Sequence, residues 1–236
     1  EMCIRDSIWT APSDEALKRD IELSMEAGFN GARLHQKVFE ERFYYWADKM
    51  GYLTWGEASS WGMDCNDTET ARNFITEWSE IVQRDRNHPS VFMWSIGNEV
   101  LEQWQHADAD TLSLEAANLI LNAGHPVDDK ILSDTAMSVQ GLIAHSLAAI
   151  VKRLDKTRPV TAANNEATPG NLIFRSNALD VLGFNYHEKN YEPFPQNFPG
   201  KTLIVSESTS ALMTRGYYQM PVSYTHLRAH ETVLDL

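Results

Sequence analysis

Cysteine is almost missing from this chain, with two in 236 residues, Cys3 and Cys65. Two are too few for a cysteine-built metal site. Cys3 falls in a terminal segment set aside below, so no internal disulfide is available either. That does not fix the compartment, because a large periplasmic enzyme can do without disulfides. Cation charge is also scarce: 20 Lys and Arg stand against 33 Asp and Glu, a formal charge of -13. Such a balance argues against nucleic acid and anionic membranes as partners. No apolar run approaches the length of a membrane span. Neither Gly-x-Gly-x-x-Gly nor the Walker phosphate loop occurs, and no cofactor is implied. There is no His-x-His pair and no His-Glu-x-x-His. A metal-dependent barrel hydrolase using His35, Glu57, Glu99 and His187 is therefore disfavoured. What the chain does have is an ordinary globular composition, 43% hydrophobic, enough to bury a sizeable core.

The two ends read as one DNA segment in opposite orientations. Glu1 to Asp6 can be encoded as GAG-ATG-TGT-ATA-AGA-GAC. The reverse complement, GTC-TCT-TAT-ACA-CAT-CTC, encodes Val222 to Leu227. This DNA resembles the end of a transposase-type sequencing adapter. Residues 1–7 and 222–236 are accordingly expected to be adapter-derived, leaving 8–221 with a formal charge of -11 as a truncated open reading frame.

Within 8–221, helices and strands alternate. Ser13 is an N-cap, followed by Asp14 and Glu15 in a first turn. Leu17, Ile21 and Met25 mark one face, and Gly28 is a stop signal. Gly31 to His35 reads as a short strand. A stripe of Phe39, Phe43, Trp46, Ala47 and Met50 ends at Gly51, and Tyr52 to Trp55 is the next strand. Thr70 to Arg84 is helical, with Phe74, Trp78 and Ile81 inward. Asn87-His88-Pro89 turns into the strand Val91 to Ile96. After a long polar insertion come a helix, Met137 to Leu154, and strands at Val160 to Ala163, Asp180 to Phe184 and Thr202 to Ser206. Six strands in a βα repeat fit an α/β fold, either a barrel or a doubly wound sheet. Polar residues gather at the carboxyl ends of successive strands: Arg33, His35, Glu57, Asn98, Glu99, Asn185, Tyr186 and Glu207. A barrel converges those ends on one site, whereas a doubly wound sheet concentrates its site at one switch point. The expectation is therefore an incomplete (β/α)8 barrel.

Two of these residues, Glu99 after Trp94-Ser95-Ile96-Gly97-Asn98 and Glu207 after Thr202 to Ser206, are carboxylates at strand ends. Two carboxylates across one cleft are what glycosidic bond cleavage uses. Taken with Arg84-Asp85-Arg86-Asn87-His88-Pro89-Ser90-Val91, Asp155-Lys156-Thr157-Arg158-Pro159-Val160-Thr161 and Gly183-Phe184-Asn185-Tyr186, the chain resembles the catalytic barrel of glycoside hydrolase family 2, the family of β-galactosidases, β-glucuronidases and β-mannosidases. The resemblance covers nearly all of Thr10 to Pro221, about barrel strands two to seven. It implies a carbohydrate substrate, Glu99 as general acid/base and Glu207 as nucleophile. It further implies that Asn98 bonds the hydroxyl next to the anomeric carbon, that Tyr186 and Arg33 orient the nucleophile, and that His35 lines the sugar subsite. His35-Gln36-Lys37-Val38-Phe39 departs from the commoner Ser-His-Asn-Pro-Pro type of loop, which leaves the exact sugar open.

In a retaining mechanism the carboxyls stand ~5–5.5 Å apart, one attacking and one protonating. Several residues carry a second reading. Arg33 could be a structural ion-pair partner of Glu57, and Glu57 is evenly divided between sugar subsite and scaffold. Glu207 could cap a following helix, and His35 or Tyr186 could be core. Trp55, Trp61 and Trp94 are large aromatics, more often core than sugar platform. Rival functions are a non-catalytic sugar-binding relative and an inactive fragment. Sugar, linkage, oligomeric state and compartment stay open.

Overall fold

The computed structural model describes residues 11, 13–60, 67–99 and 139–208. The proposed adapter-derived ends, Trp61, Cys65 and the insertion after β3 lie outside them. Among the described residues six strands form one sheet: β1 (Gly31–Arg33), β2 (Leu53–Glu57), β3 (Val91–Asn98), β4 (Val160–Asn164), β5 (Val181–Asn185) and β6 (Thr202–Glu207). Their spatial order is their chain order, and every neighbouring pair is parallel. Helices fill the crossovers: α1 (Asp14–Glu26), α2 (Glu41–Met50), α3 (Thr68–Asp85), α4 (Val139–Leu154) and the short α5 (Leu172–Arg175) and α6 (Phe194–Asn197). A parallel sheet wound in one direction curls rather than switching sides, and one contact shows that this one does. Flat, β1 and β6 would lie five spacings of ~4.8 Å apart, roughly 24 Å. Yet Arg33 on β1 reaches Glu207 on β6 at 2.8 Å. The sheet is a partial (β/α)8 barrel.

Local signals position the elements. The Ser13 hydroxyl accepts from Ala16 N at 3.3 Å, capping α1, and Asp67 does the same for α3 through Thr70 N at 2.9 Å. Helix α2 stops at Gly51, whose φ of 69° suits glycine. On α1, Leu17, Ile21 and Ser24 are buried, but Met25 lies exposed, one position beyond the inward face. Ser24 instead shares a 2.7 Å hydrogen bond with Tyr52, so the buried hydroxyls satisfy each other.

The main core lies between the sheet's outer face and the helices. Trp94 on β3 is fully buried and packs edge-on against Trp78 of α3, centroids 5.9 Å apart. Both indole N–H groups are satisfied, Trp78 by Leu147 O at 3.2 Å and Trp94 by Asp155 at 3.0 Å. A Cβ at residue 56 would sit 2.7 Å from the Trp94 ring, so β2 must carry Gly56 there. Phe174, Phe184, Phe194 and Phe198 form a second aromatic group outside β5.

The amino-terminal ends of the strands are tied by Arg158. It donates to the carbonyls of Val91, Arg86 (2.7 Å) and His88 (2.8 Å), and to Asp155 at 2.7 Å. This explains why the two conspicuous sequence stretches, Arg84 to Val91 and Asp155 to Thr161, occur together. His88 is held by Asp48 at 2.7 Å and stacked on Tyr44, a scaffold role. Among the described residues no helix is long and apolar enough to cross a membrane.

Candidate active site

Backbone irregularities at the strand ends decide which side chains face the barrel interior. In a regular strand, alternate residues share a face. Trp94 faces the helices, so strict alternation would send Ile96 and Asn98 the same way. Between Ser95 and Asn98, however, β3 carries one residue more than its partner β4: Ser95 pairs with Thr161 and Asn98 with Ala163. The bulge moves Asn98 to the inner face. On β6 the same device operates. Phe184 pairs with Val205, but Asn185 pairs with Glu207, leaving Ser206 over. Glu207 thereby joins Asn185 on the inner face.

Arg33 stands at the centre of the resulting cluster. Its Nε and Nη2 meet both oxygens of Glu57 at 2.8 and 3.0 Å. Nη2 also donates to Asn98 Oδ1 at 2.7 Å. Nη1 donates to Glu207 Oε1 at 2.8 Å and to Ser206 O at 3.2 Å. Burial would weaken the guanidinium's hold on its proton, but the charges of Glu57 and Glu207 outweigh this and keep it cationic. Its plane lies over the buried Trp55 ring, 5.3 Å from the centroid.

Glu57 is fully enclosed, its side chain 0% exposed. One oxygen takes Arg33 Nε, and the other takes Arg33 Nη2 and Gln36 N at 3.0 Å. It has no surface to present to a ligand. Of the two readings of Glu57, the geometry favours scaffold over sugar contact. Trp94 is likewise core, and Trp55 lies beneath Arg33 rather than open to a ligand.

Glu207 is held on both oxygens. Oε1 takes Arg33, and Oε2 accepts from the Tyr186 hydroxyl. Tyr186 is 41% exposed, so it is not a core residue. His35 Nε2 lies 3.9 Å from Glu207 Oε1 and is buried without a hydrogen-bond partner among the described residues. Burial and then the Arg33 charge lower the affinity of this imidazole for a proton, only partly opposed by Glu57 and Glu207. Near pH 7 it is neutral.

Glu99 follows β3. Its N–H donates to Ala163 O at 2.7 Å, and its Oε1 accepts from Asn185 Nδ2 at 3.5 Å. Its φ is 49°, with Tyr186 at 61° and Gln36 at 55°. Left-handed backbone at a non-glycine residue costs about 1–3 kcal/mol, and such strain gathers where side chains must be aimed. Three of the four such residues among the described ones adjoin this cluster; the fourth, Asn177 at φ 58°, lies away from it. His187 is tied through Nε2 to the carbonyl of Asn165.

The structure thus brings together Arg33, Glu57, Asn98, Glu99, Tyr186 and Glu207, with His35 alongside. It adds Asn185, which the sequence offered only as a polar residue at a strand end. Among the described residues no three His, Cys, Asp or Glu side chains are grouped to hold a metal ion.

Residues 10–226 match the model of the family described as glycosyl hydrolases family 2, TIM barrel domain. Beta-galactosidase BoGH2A of Bacteroides ovatus is 48% identical over 216 residues. The match takes in 89% of this chain but 25% of that protein, so the chain spans about a quarter of this curated relative's length. A solved glycosyl hydrolase family 2 member from Bacteroides cellulosilyticus superposes with a TM-score of 0.57 at 30% identity, over 83% of this chain and 22% of that one. An FMN-binding beta-glucuronidase of Facaelibacterium prausnitzii L2-6 gives a TM-score of 0.66 over 98% of this chain and 34% of that one. At 19% identity that likeness speaks for the fold alone.

Proposed function

The chain belongs to glycoside hydrolase family 2, and from that premise we propose that it carries the centre of a retaining β-glycosidase. Glu207 is the nucleophile and Glu99 the general acid/base. The observation that carries this reading is the pair of clamps on Glu207, Arg33 on one oxygen and Tyr186 on the other. Both clamps hold the carboxylate in one aim. Glu99 and Asn98 stand at the same strand ends, linked through Asn185.

In the first step a Glu207 oxygen bonds to the anomeric carbon as the bond to the leaving oxygen breaks. The Glu99 proton passes to that oxygen. In the second step water attacks the anomeric carbon, gives a proton to the Glu99 carboxylate, and the ester to Glu207 breaks. The sum is one water consumed per glycosidic bond. Asn98 meets the hydroxyl beside the reacting carbon, His35 lines the sugar site as a neutral imidazole, and Glu57 holds Arg33 in place. The Bacteroides ovatus relative is a β-galactosidase, which supports β-galactosides as the substrate class, with β-glucuronides the next to try.

A 2-deoxy-2-fluoro-β-galactoside with an activated leaving group tests this in the full-length enzyme. The expected outcome is a stable adduct whose peptide mass places the sugar on Glu207. Turnover without an adduct, or an adduct on another residue, would overturn the assignment.

A further inference from the structure

Asn185 is fully buried at the end of β5, and none of the roles above uses it. Its amide nevertheless touches three strand ends. Nδ2 donates to Asn98 Oδ1 at 3.1 Å and to Glu99 Oε1 at 3.5 Å, and Oδ1 accepts from Ser206 Oγ at 2.6 Å. Arg33 only donates, which fixes Asn98 Oδ1 as an oxygen, so the end of the Asn185 amide that faces it is the NH2. Ser206 is also the bulged residue that turns Glu207 inward. One side chain therefore links the strand carrying Asn98 and Glu99 to the bulge that aims Glu207.

We infer that Asn185 is a positioning residue for the acid/base: its NH2 holds Glu99 and Asn98 in a common register with the nucleophile strand. The inference rests on the reading of Glu99 and Glu207 given above. A donor is required at this place because all three neighbours of Nδ2 and Oδ1 are otherwise set. Asn98 Oδ1 already receives Arg33, Glu99 is an acceptor when ionised, and Ser206 is a donor. An amide, with one donor end and one acceptor end, meets both demands. A carboxylate of the same shape meets only one and brings a second negative charge against Glu99.

The test compares Asn185→Asp and Asn185→Ala in the full-length enzyme, using β-glycosides with leaving groups from dinitrophenol to simple alcohols. Good leaving groups need little protonation, so a misplaced acid shows as a steeper dependence on the leaving group. For Asn185→Asp, kcat/KM should fall about 100-fold on alkyl glycosides and only a few-fold on dinitrophenyl glycosides. Asn185→Ala should fall less than Asn185→Asp, although Asp is the isostere. A packing role predicts the reverse order and an equal loss on every substrate, and either result would overturn the inference. Ser206→Ala, which removes the donor that anchors Asn185 Oδ1, should show the same steepening in milder form. It keeps the test usable if a substitution at 185 prevents folding, and a flat response in it counts against the inference. Glu99→Ala serves as the reference. If it too lacks leaving-group dependence, the acid/base assignment itself has failed; if it alone shows it, only the role of Asn185 has.

Discussion

The Tyr186 hydroxyl donates to Glu207 Oε2, while Arg33 occupies Oε1 from the opposite edge of the sheet. The two donors come from β1 and from the residue after β5, so the Glu207 carboxylate is fixed from both sides of its own strand. A charge-assisted hydrogen bond of this kind contributes about 1.5–3 kcal/mol. Tyr186→Phe should lower kcat/KM about 10- to 100-fold. Because Tyr186 is 41% exposed, the melting temperature should hardly move. Steady-state kinetics beside a thermal melt check both halves; an unchanged rate would remove Tyr186 from the mechanism.

Glu57 and Arg33 form a buried ion pair, with both Glu57 oxygens taken by the guanidinium. Glu57→Gln leaves Arg33 with one carboxylate partner and should cost about 3–5 kcal/mol of stability. Activity should fall with it, since Arg33 would no longer be fixed beneath Asn98 and Glu207. Arg33→Met combined with Glu57→Met should cost less stability than the sum of the two single Met changes, because the buried charge that each single change leaves alone is gone; Glu207 loses Arg33 but keeps Tyr186. It should not restore activity. Chemical denaturation of the four proteins measures the coupling, and additive losses would contradict the pairing.

The two carboxylates should separate by chemical rescue. On the proposed assignment Glu207→Ala removes the nucleophile, and added azide should restore turnover with inverted product. Glu99→Ala should retain activity best on activated aryl glycosides, and azide should accelerate it with retained configuration. Product configuration by NMR distinguishes them. The opposite pattern would exchange the two roles.

Asp155 provides a pH signature far from the cleft. Burial by itself would raise its pKa, but donors from Trp94, Thr157 and Arg158 hold it well below the ordinary 3.8. A depressed folded value means that its stabilisation is complete above 3.8 and is lost as pH falls below it. Asp155→Asn should therefore cost about 3 kcal/mol at neutral pH. The parent and variant melting curves should converge between about pH 4 and pH 2. A gap that persists undiminished through that range would show that the effect is packing and not charge.

Much of this was legible in the residues themselves. The strand starts at Val91, Val160 and Thr202 agree with the sequence reading, because apolar runs after turn signals announce a buried parallel strand. The strand ends did not agree. Strands read as closing at Trp55, Ile96, Phe184 and Ser206 continue to Glu57, Asn98, Asn185 and Glu207. A polar residue reads as the onset of a loop, yet here it keeps its ladder hydrogen bonds and turns its side chain into the barrel. Glu57, Asn98, Asn185 and Glu207 are thus parts of strands, while Glu99 and Tyr186 directly follow them and His35 lies beyond β1.

Sequence alone determined the βα alternation and the crowding of polar groups, carboxylates among them, at strand ends, because hydrophobic period and turn residues are local properties. It left Arg33 divided between Glu57 and Glu207. The structure shows contact with both, and only the curl of the sheet makes that possible, bringing β1 within reach of β6. Facing was likewise a tertiary matter. By strict alternation Asn98 shares a face with Trp94, and Glu207 with Val205. One extra residue in each strand reverses this, and a bulge is defined only against the neighbouring strand that lacks it.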